Sequence, residues 1–200
     1  MSEKKKILVL SDHPLSPSGV GTQTRYVIQA LLDTGRYKVL SLGGAIKHRD
    51  YSPLRVDPYG DDWIIQPVNG YGTPEMIRST LRFEKPDAIW IMTDPRFWGW
   101  LWEIEDEIRS LVPLIYYHVW DNYPLPVYNE PNYSSNDVIA CISKLTHDVV
   151  KGVAPHVESH YLPHAVDSEV FCKKPDEAVQ NLRVKSFGDD LNNKFIVFWN

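Results

Sequence analysis

The chain has 200 residues, 43% of them hydrophobic and 24% charged, enough for one domain with a real core or for one domain and the start of another; disorder, collagen and coiled coil are excluded. Lys+Arg 21 against Asp+Glu 26 gives a net charge of -5, which excludes a surface built to neutralise nucleic-acid phosphates. No apolar run approaches the ~20 residues of a membrane helix, the opening Met1-Ser2-Glu3-Lys4-Lys5-Lys6 lacks the apolar stretch of a signal peptide, and Cys141 and Cys172 support neither a disulfide framework nor a Cys-rich metal site, so a soluble cytoplasmic protein is expected.

In chain order, residues 6–10 read as a strand, and a helix follows over 20–33, with Val20, Val27, Ala30 and Leu31 on one stripe and Gly35 as its stop. Strands are expected over 37–42 and 63–68, then a helix capped by Thr73 with Pro74 in its first turn and running to about 83. After a strand over 87–92, the series Phe97, Leu101, Ile104, Ile108, Leu111 steps by four and three and predicts one unbroken helix over 97–111. Strands over 113–119, 137–142 and 157–162 follow, with a helix after Ser143 between the last two. Most of these strands are apolar on both faces, as in a parallel sheet covered on both sides. The fold class expected is α/β: a doubly wound, mostly parallel Rossmann-like sheet. Residues 1–171 are expected to form this domain, the polar 172–193, with its turn signal Gly188-Asp189-Asp190, a linker, and 194–200 the first strand of a second domain.

In such a sheet, ligands bind beyond the carboxyl ends of the strands. The loop after the first strand carries Asp12 and His13 and ends in Gly19-Val20-Gly21 at a helix start, where free amides and the helix dipole favour an anion such as a phosphate; the same glycines also suit a plain tight turn. Thr24 stands where a dinucleotide fingerprint has its third glycine, and no Gly-Lys-Ser/Thr is present, so the NAD and P-loop readings both fail. Asp94 follows the fourth strand, and like Asp12 it is a tip carboxylate that suits a loop cap as well as a functional group. His118 ends the fifth with Asp121 three residues on, placed either to manage a proton or sugar hydroxyl or to satisfy a backbone carbonyl. Among the crowded aromatics of this third of the chain, Trp120, Tyr123 and Tyr128 lie in a loop suited to a sugar ring. His156, His160 and His164 recur every four residues, but in an extended segment such residues stand ~13 Å apart, so no metal site is expected.

Three segments in order resemble the retaining, two-Rossmann-domain nucleotide-sugar glycosyltransferases called group 1. They are Pro17-Ser18-Gly19-Val20-Gly21 leading into the first helix, with Ser18 where the family usually has glycine; the 137–143 strand ending in Ser143 before a helix; and Leu162-Pro163-His164-Ala165-Val166-Asp167 with Phe171, with Ala165 in a usual glycine place. The resemblance implies the N-terminal half of a GT-B type enzyme: an acceptor-side domain that works with a nucleotide-sugar donor, a hydroxyl acceptor and a C-terminal donor-binding domain beyond residue 200, and that needs no metal or other cofactor. It implies that Gly19, Val20 and Gly21 lie near the donor phosphates and that His118, with Asp121 displaced from its usual place, serves catalysis in the cleft; Asp94 is a further catalytic candidate, and Asp12, His13, Trp120 and Tyr123 acceptor candidates, from their places at strand tips and in the loop. The 200-residue chain alone is expected to be inactive. A nucleotide-sugar epimerase of the same shape and a stand-alone α/β module holding a phosphorylated ligand are the alternatives.

Overall fold

The computed structural model describes residues 3–188 and 194–197. The chain divides into two compact units, residues 1–165 and 166–200. The first holds an eight-stranded sheet formed by β1 (Lys5–Asp12), β2 (Tyr37–Gly44), β3 (Leu54–Val56), β4 (Gly60–Pro67), β5 (Ala88–Met92), β6 (Leu114–His118), β7 (Val138–Cys141) and β8 (Glu158–Tyr161). Their order is β3-β4-β2-β1-β5-β6-β7-β8, with every neighbouring pair parallel except the β3–β4 edge. The doubly wound, mostly parallel α/β class read from the sequence is therefore the class of the molecule. The short edge strand β3 was not anticipated, because three residues carry too little periodicity to register.

Crossovers are made by α1 (Gly19–Asp33), α2 (Pro74–Glu84), the pair α3 (Gly99–Trp102) and α4 (Glu105–Arg109), α5 (Glu130–Ser134) and α6 (Lys144–Val153). Strand alternation sends successive residues to opposite faces. Leu8, Ile91, Tyr116 and Ile139 join Ile77 of α2, Leu101 of α3, Ile108 of α4 and Val150 of α6 in one core, while Val9, Trp63, Met92 and Tyr117 join Ile28 and Leu32 of α1 in the other.

The helix starts follow the chemistry read from the sequence. Thr73 Oγ1 accepts the Met76 amide and Ser143 Oγ accepts the Thr146 amide, each satisfying an otherwise orphaned first-turn donor. Gly35 follows α1 with φ 68°, a left-handed turn that suits glycine.

The unbroken helix expected over 97–111 is corrected. The chain makes a 3-10 turn over Pro95–Trp98, then α3, then α4. Asp94 caps the first turn, and Trp102 Nε1 donates back to the Pro95 carbonyl at 2.9 Å, which fixes a compact corner instead of a straight rod. Leu101 and Ile108 are buried as the spacing requires, but Phe97 and Leu111 at the ends of the series are 51% and 66% exposed.

In the second unit, α7 (Asp176–Phe187) occupies much of the stretch read as a polar linker. Residues 194–197 of the expected terminal strand are not in strand conformation, and its remainder lies outside the described residues, as does most of the turn signal after Gly188.

Candidate functional site

The chain runs from β1 out to one edge through β2 and β4, then returns to β5 on the other side of β1. The reversal point between β1 and β5 is where such sheets open a crevice at their carboxyl ends. Asp12 closes β1, and Thr93 and Asp94 follow β5 directly.

Asp12 is nearly enclosed, and both of its oxygens are engaged. Ser18 Oγ donates to one at 2.8 Å and the Tyr71 hydroxyl to the other at 2.9 Å. Ser18 is also the N-cap of α1, accepting the Gly21 amide on its Oγ and the Thr22 amide on its carbonyl. The Gly19 and Val20 amides are then the two first-turn donors without a partner among the described residues.

The two glycines differ. A Cβ on Gly21 would stand 2.4 Å from Ser16 Oγ and 2.7 Å from the His13 carbonyl, whereas one on Gly19 meets nothing within 4 Å. Gly21 is thus needed for the close fit of the 13–16 loop, and Gly19 borders open space. Gly43 likewise makes room for a ring, since a Cβ there would come 2.6 Å from His13 Cδ2. The Leu15 amide donates to His13 Nδ1, so the neutral ring carries its proton on Nε2. Burial, then the neighbouring His48, lowers the His13 pKa and favours that neutral form.

On the β5 side, Thr93 has φ 111°, a conformation that costs a β-branched residue ~1–3 kcal/mol and that gathers at functional sites. Asp94 accepts the Arg96 amide at 2.9 Å and the Arg96 guanidinium at 2.8 and 2.6 Å. Burial opposes its ionisation, but these bonds outweigh that and hold its pKa below the usual value. The same guanidinium lies 5.8 Å from the Trp120 ring, which meets Tyr128 edge-on. Asp94, Arg96, Trp120 and Tyr128 therefore form a rim of one ion pair and two aromatic rings beside the β5 tip. Tyr71 links the two sides: its hydroxyl binds Asp12 while its ring stacks on Phe97 and meets Trp98 edge-on. Burial, then Asp12, pushes its pKa up to about 12, so it stays a donor.

His118 does not face an open cleft, and that expectation is corrected. The residue has no exposed surface, Nδ1 is 3.1 Å from the Tyr116 hydroxyl, and Nε2 is 2.7 Å from the Tyr133 hydroxyl. Burial, against a weaker pull from Asp94, pushes its pKa down to about 3. Tyr116 and Tyr133 enclose it because β6 turns His118 and Tyr116 to the same face and α5 lays Tyr133 over them. Asp121 and Tyr123 are exposed in the loop beyond and make no side-chain hydrogen bond among the described residues.

The three histidines diverge, as an extended segment requires: His156 meets Ser134, His160 meets Glu158, and His164 lies against Tyr117. Among the described residues no group of three or more His, Cys, Asp or Glu could hold a metal ion. Cys141 is enclosed and burial pushes its thiol up to about 12, so it is no nucleophile.

The first helix and the 162–167 segment touch: the Gln23 amide group of α1 donates to the Ala165 carbonyl at 2.6 Å and accepts the Ala165 amide at 3.2 Å. Ala165 is not among the residues with positive φ, so the absence of glycine there brings no strain. A groove of about 660 Å³ lies elsewhere, between β2, β4 and α2 on the sheet face.

Sequence reasoning missed Tyr71 and the backbone of Thr93. Tyr71 sits in a loop without periodicity, and a positive φ at a threonine has no sequence signal. Ser18, noted from the sequence only for standing where the resembling family usually has glycine, is the N-cap of α1. No protein-family model matches the chain, and a search of curated proteins finds no match. Among the described residues no helix is long and apolar enough to cross a membrane.

Proposed function

We propose that the chain is the acceptor-side lobe of a retaining glycosyltransferase that uses a nucleotide-sugar donor. The observation that carries this reading is the pairing, at one reversal point, of two unpartnered first-turn amides at Gly19 and Val20 with the Asp94–Arg96–Trp120–Tyr128 rim. The amides suit donor phosphate oxygens. The rim suits a hydroxylated ring, whose apolar face rests on Trp120 and whose hydroxyls meet Asp94 and Arg96.

In the reaction, an acceptor oxygen bonds to the anomeric carbon as the bond from that carbon to the diphosphate oxygen breaks. The acceptor proton passes to the leaving diphosphate, so no protein nucleophile is required, and donors facing the diphosphate stabilise its growing charge. His118 supports this site from beneath and does not touch substrate. A domain that follows the chain would hold the rest of the donor.

The test is to incubate the full natural protein with UDP-, GDP- and ADP-sugars and follow nucleoside diphosphate release. Release from one donor, reduced at least tenfold by Asp94→Asn, is expected. A protein that neither binds, hydrolyses nor transfers from any of them sinks the reading. Free epimerised sugar as product would favour an epimerase, and phosphate binding without turnover a stand-alone module.

A further inference from the structure

The hydrogen bonds around His118 have only one consistent direction. The Tyr116 hydroxyl stands 2.6 Å from the Thr93 carbonyl, which accepts and cannot donate, so the single Tyr116 proton lies there. The Tyr116 oxygen can then meet His118 Nδ1 only by accepting, so Nδ1 carries the ring proton. In the neutral ring Nε2 is consequently the acceptor, and the Tyr133 hydroxyl donates to it at 2.7 Å. The Tyr133 oxygen is met in turn by Asn129 Nδ2 at 3.5 Å. One polarised chain thus runs Asn129 to Tyr133 to His118 to Tyr116 to Thr93. All five residues are nearly or fully buried. It begins beside α5, in the stretch that follows Trp120 and Tyr128, and ends on Thr93, a strand-tip residue held at φ 111°.

We infer that His118 is a positioning residue: as the neutral Nδ1–H tautomer it couples the 129–133 segment to the Thr93 carbonyl and so fixes the Thr93–Asp94 tip against the aromatic rim. This deepens the reading of the same site and rests on it only for what the tip is used for. A buried relay of this kind is cooperative, since each donor polarises the next. It also gives the buried histidine a use where neither nitrogen reaches solvent: its imidazole accepts from one hydroxyl and donates to another across the width of the ring.

The test is nitrogen-15 NMR of the 200-residue chain, with no ligand present, between about pH 5 and pH 8. The expected result is a protonated-type Nδ1 and an unprotonated-type Nε2 at His118, with neither shifting over that range. A proton on Nε2, or titration of the ring within the range, overturns the inference. His118→Phe, which keeps a ring but removes both nitrogens, should move the Thr93 and Asp94 amide resonances, and His118→Asn, which restores a donor near the Nδ1 position, should move them less; unmoved resonances in His118→Phe overturn the inference. Tyr116→Phe, which removes the donor to Thr93, should move both while leaving the rest of β5 in place. Unmoved resonances in Tyr116→Phe overturn the coupling. Because none of these readouts needs a donor, a protein that turns over no nucleotide sugar would remove the glycosyl-transfer reading and leave the tautomer assignment standing.

Discussion

Burial pushes the His118 imidazole down to about 3, well below the ~6.5 of an unfolded chain. As pH falls through the unfolded value, the unfolded chain takes a proton that the folded one refuses. Stability is therefore full above ~6.5 and falls below it, by up to roughly 1.4 kcal/mol per pH unit until the folded value is reached. Denaturant midpoints at about pH 7 and pH 5 should show this loss in the wild type and a smaller one in His118→Asn, since His13 and His164, also held low by burial, contribute the same sign in both. The glycine pair offers a second residue-scale check. Gly21→Ala forces a methyl into Ser16 and the His13 backbone and should cost ~1–3 kcal/mol in urea unfolding, whereas Gly19→Ala, with open space, should stay within ~0.5 kcal/mol. A tolerated Gly21→Ala would show that the 13–16 loop gives way.

Asp137 gathers several elements at once. One oxygen accepts the Leu114 amide at the start of β6 at 2.7 Å, and the other meets Arg109 of α4, whose guanidinium also reaches Glu105 and the Ser134 carbonyl at the end of α5. Arg109→Met keeps the apolar stem but removes the cation that ties Glu105 of its own helix to Asp137 and to the Ser134 carbonyl, all part-buried. A loss of ~1–3 kcal/mol is expected in thermal or denaturant unfolding. Arg78→Met breaks only the exposed pair with Glu107 and should change the same measurement by less than ~1 kcal/mol. Helix boundaries follow the same contrast between local and distant causes. Capping by Thr73 and Ser143 is written in neighbouring residues and was readable. The break between α3 and α4 was not readable, because the four-and-three spacing of apolar residues is equally satisfied by two short helices turned at a corner.

At the scale of the whole molecule, the proposed activity divides between two lobes, so the 200-residue chain alone should release no measurable nucleoside diphosphate from any of the three sugar-nucleotide classes while the full protein does; turnover by the chain alone would contradict that division. The sequence by itself determined the α/β class, the seven parallel strands and the carboxyl ends of the strands at which Asp12, Asp94 and His118 stand, because strand alternation, capping residues and two-sided apolar runs are local properties that survive without knowledge of partners. Only the tertiary structure decided what each of those residues does there. Whether His118 meets solvent or two tyrosines depends on α5, fifteen residues further on, folding over it. Whether Asp12 is free or doubly bonded depends on Tyr71, fifty-nine residues away. Side-chain environment is set by groups distant in the chain, and a one-dimensional pattern carries no record of which of them arrive.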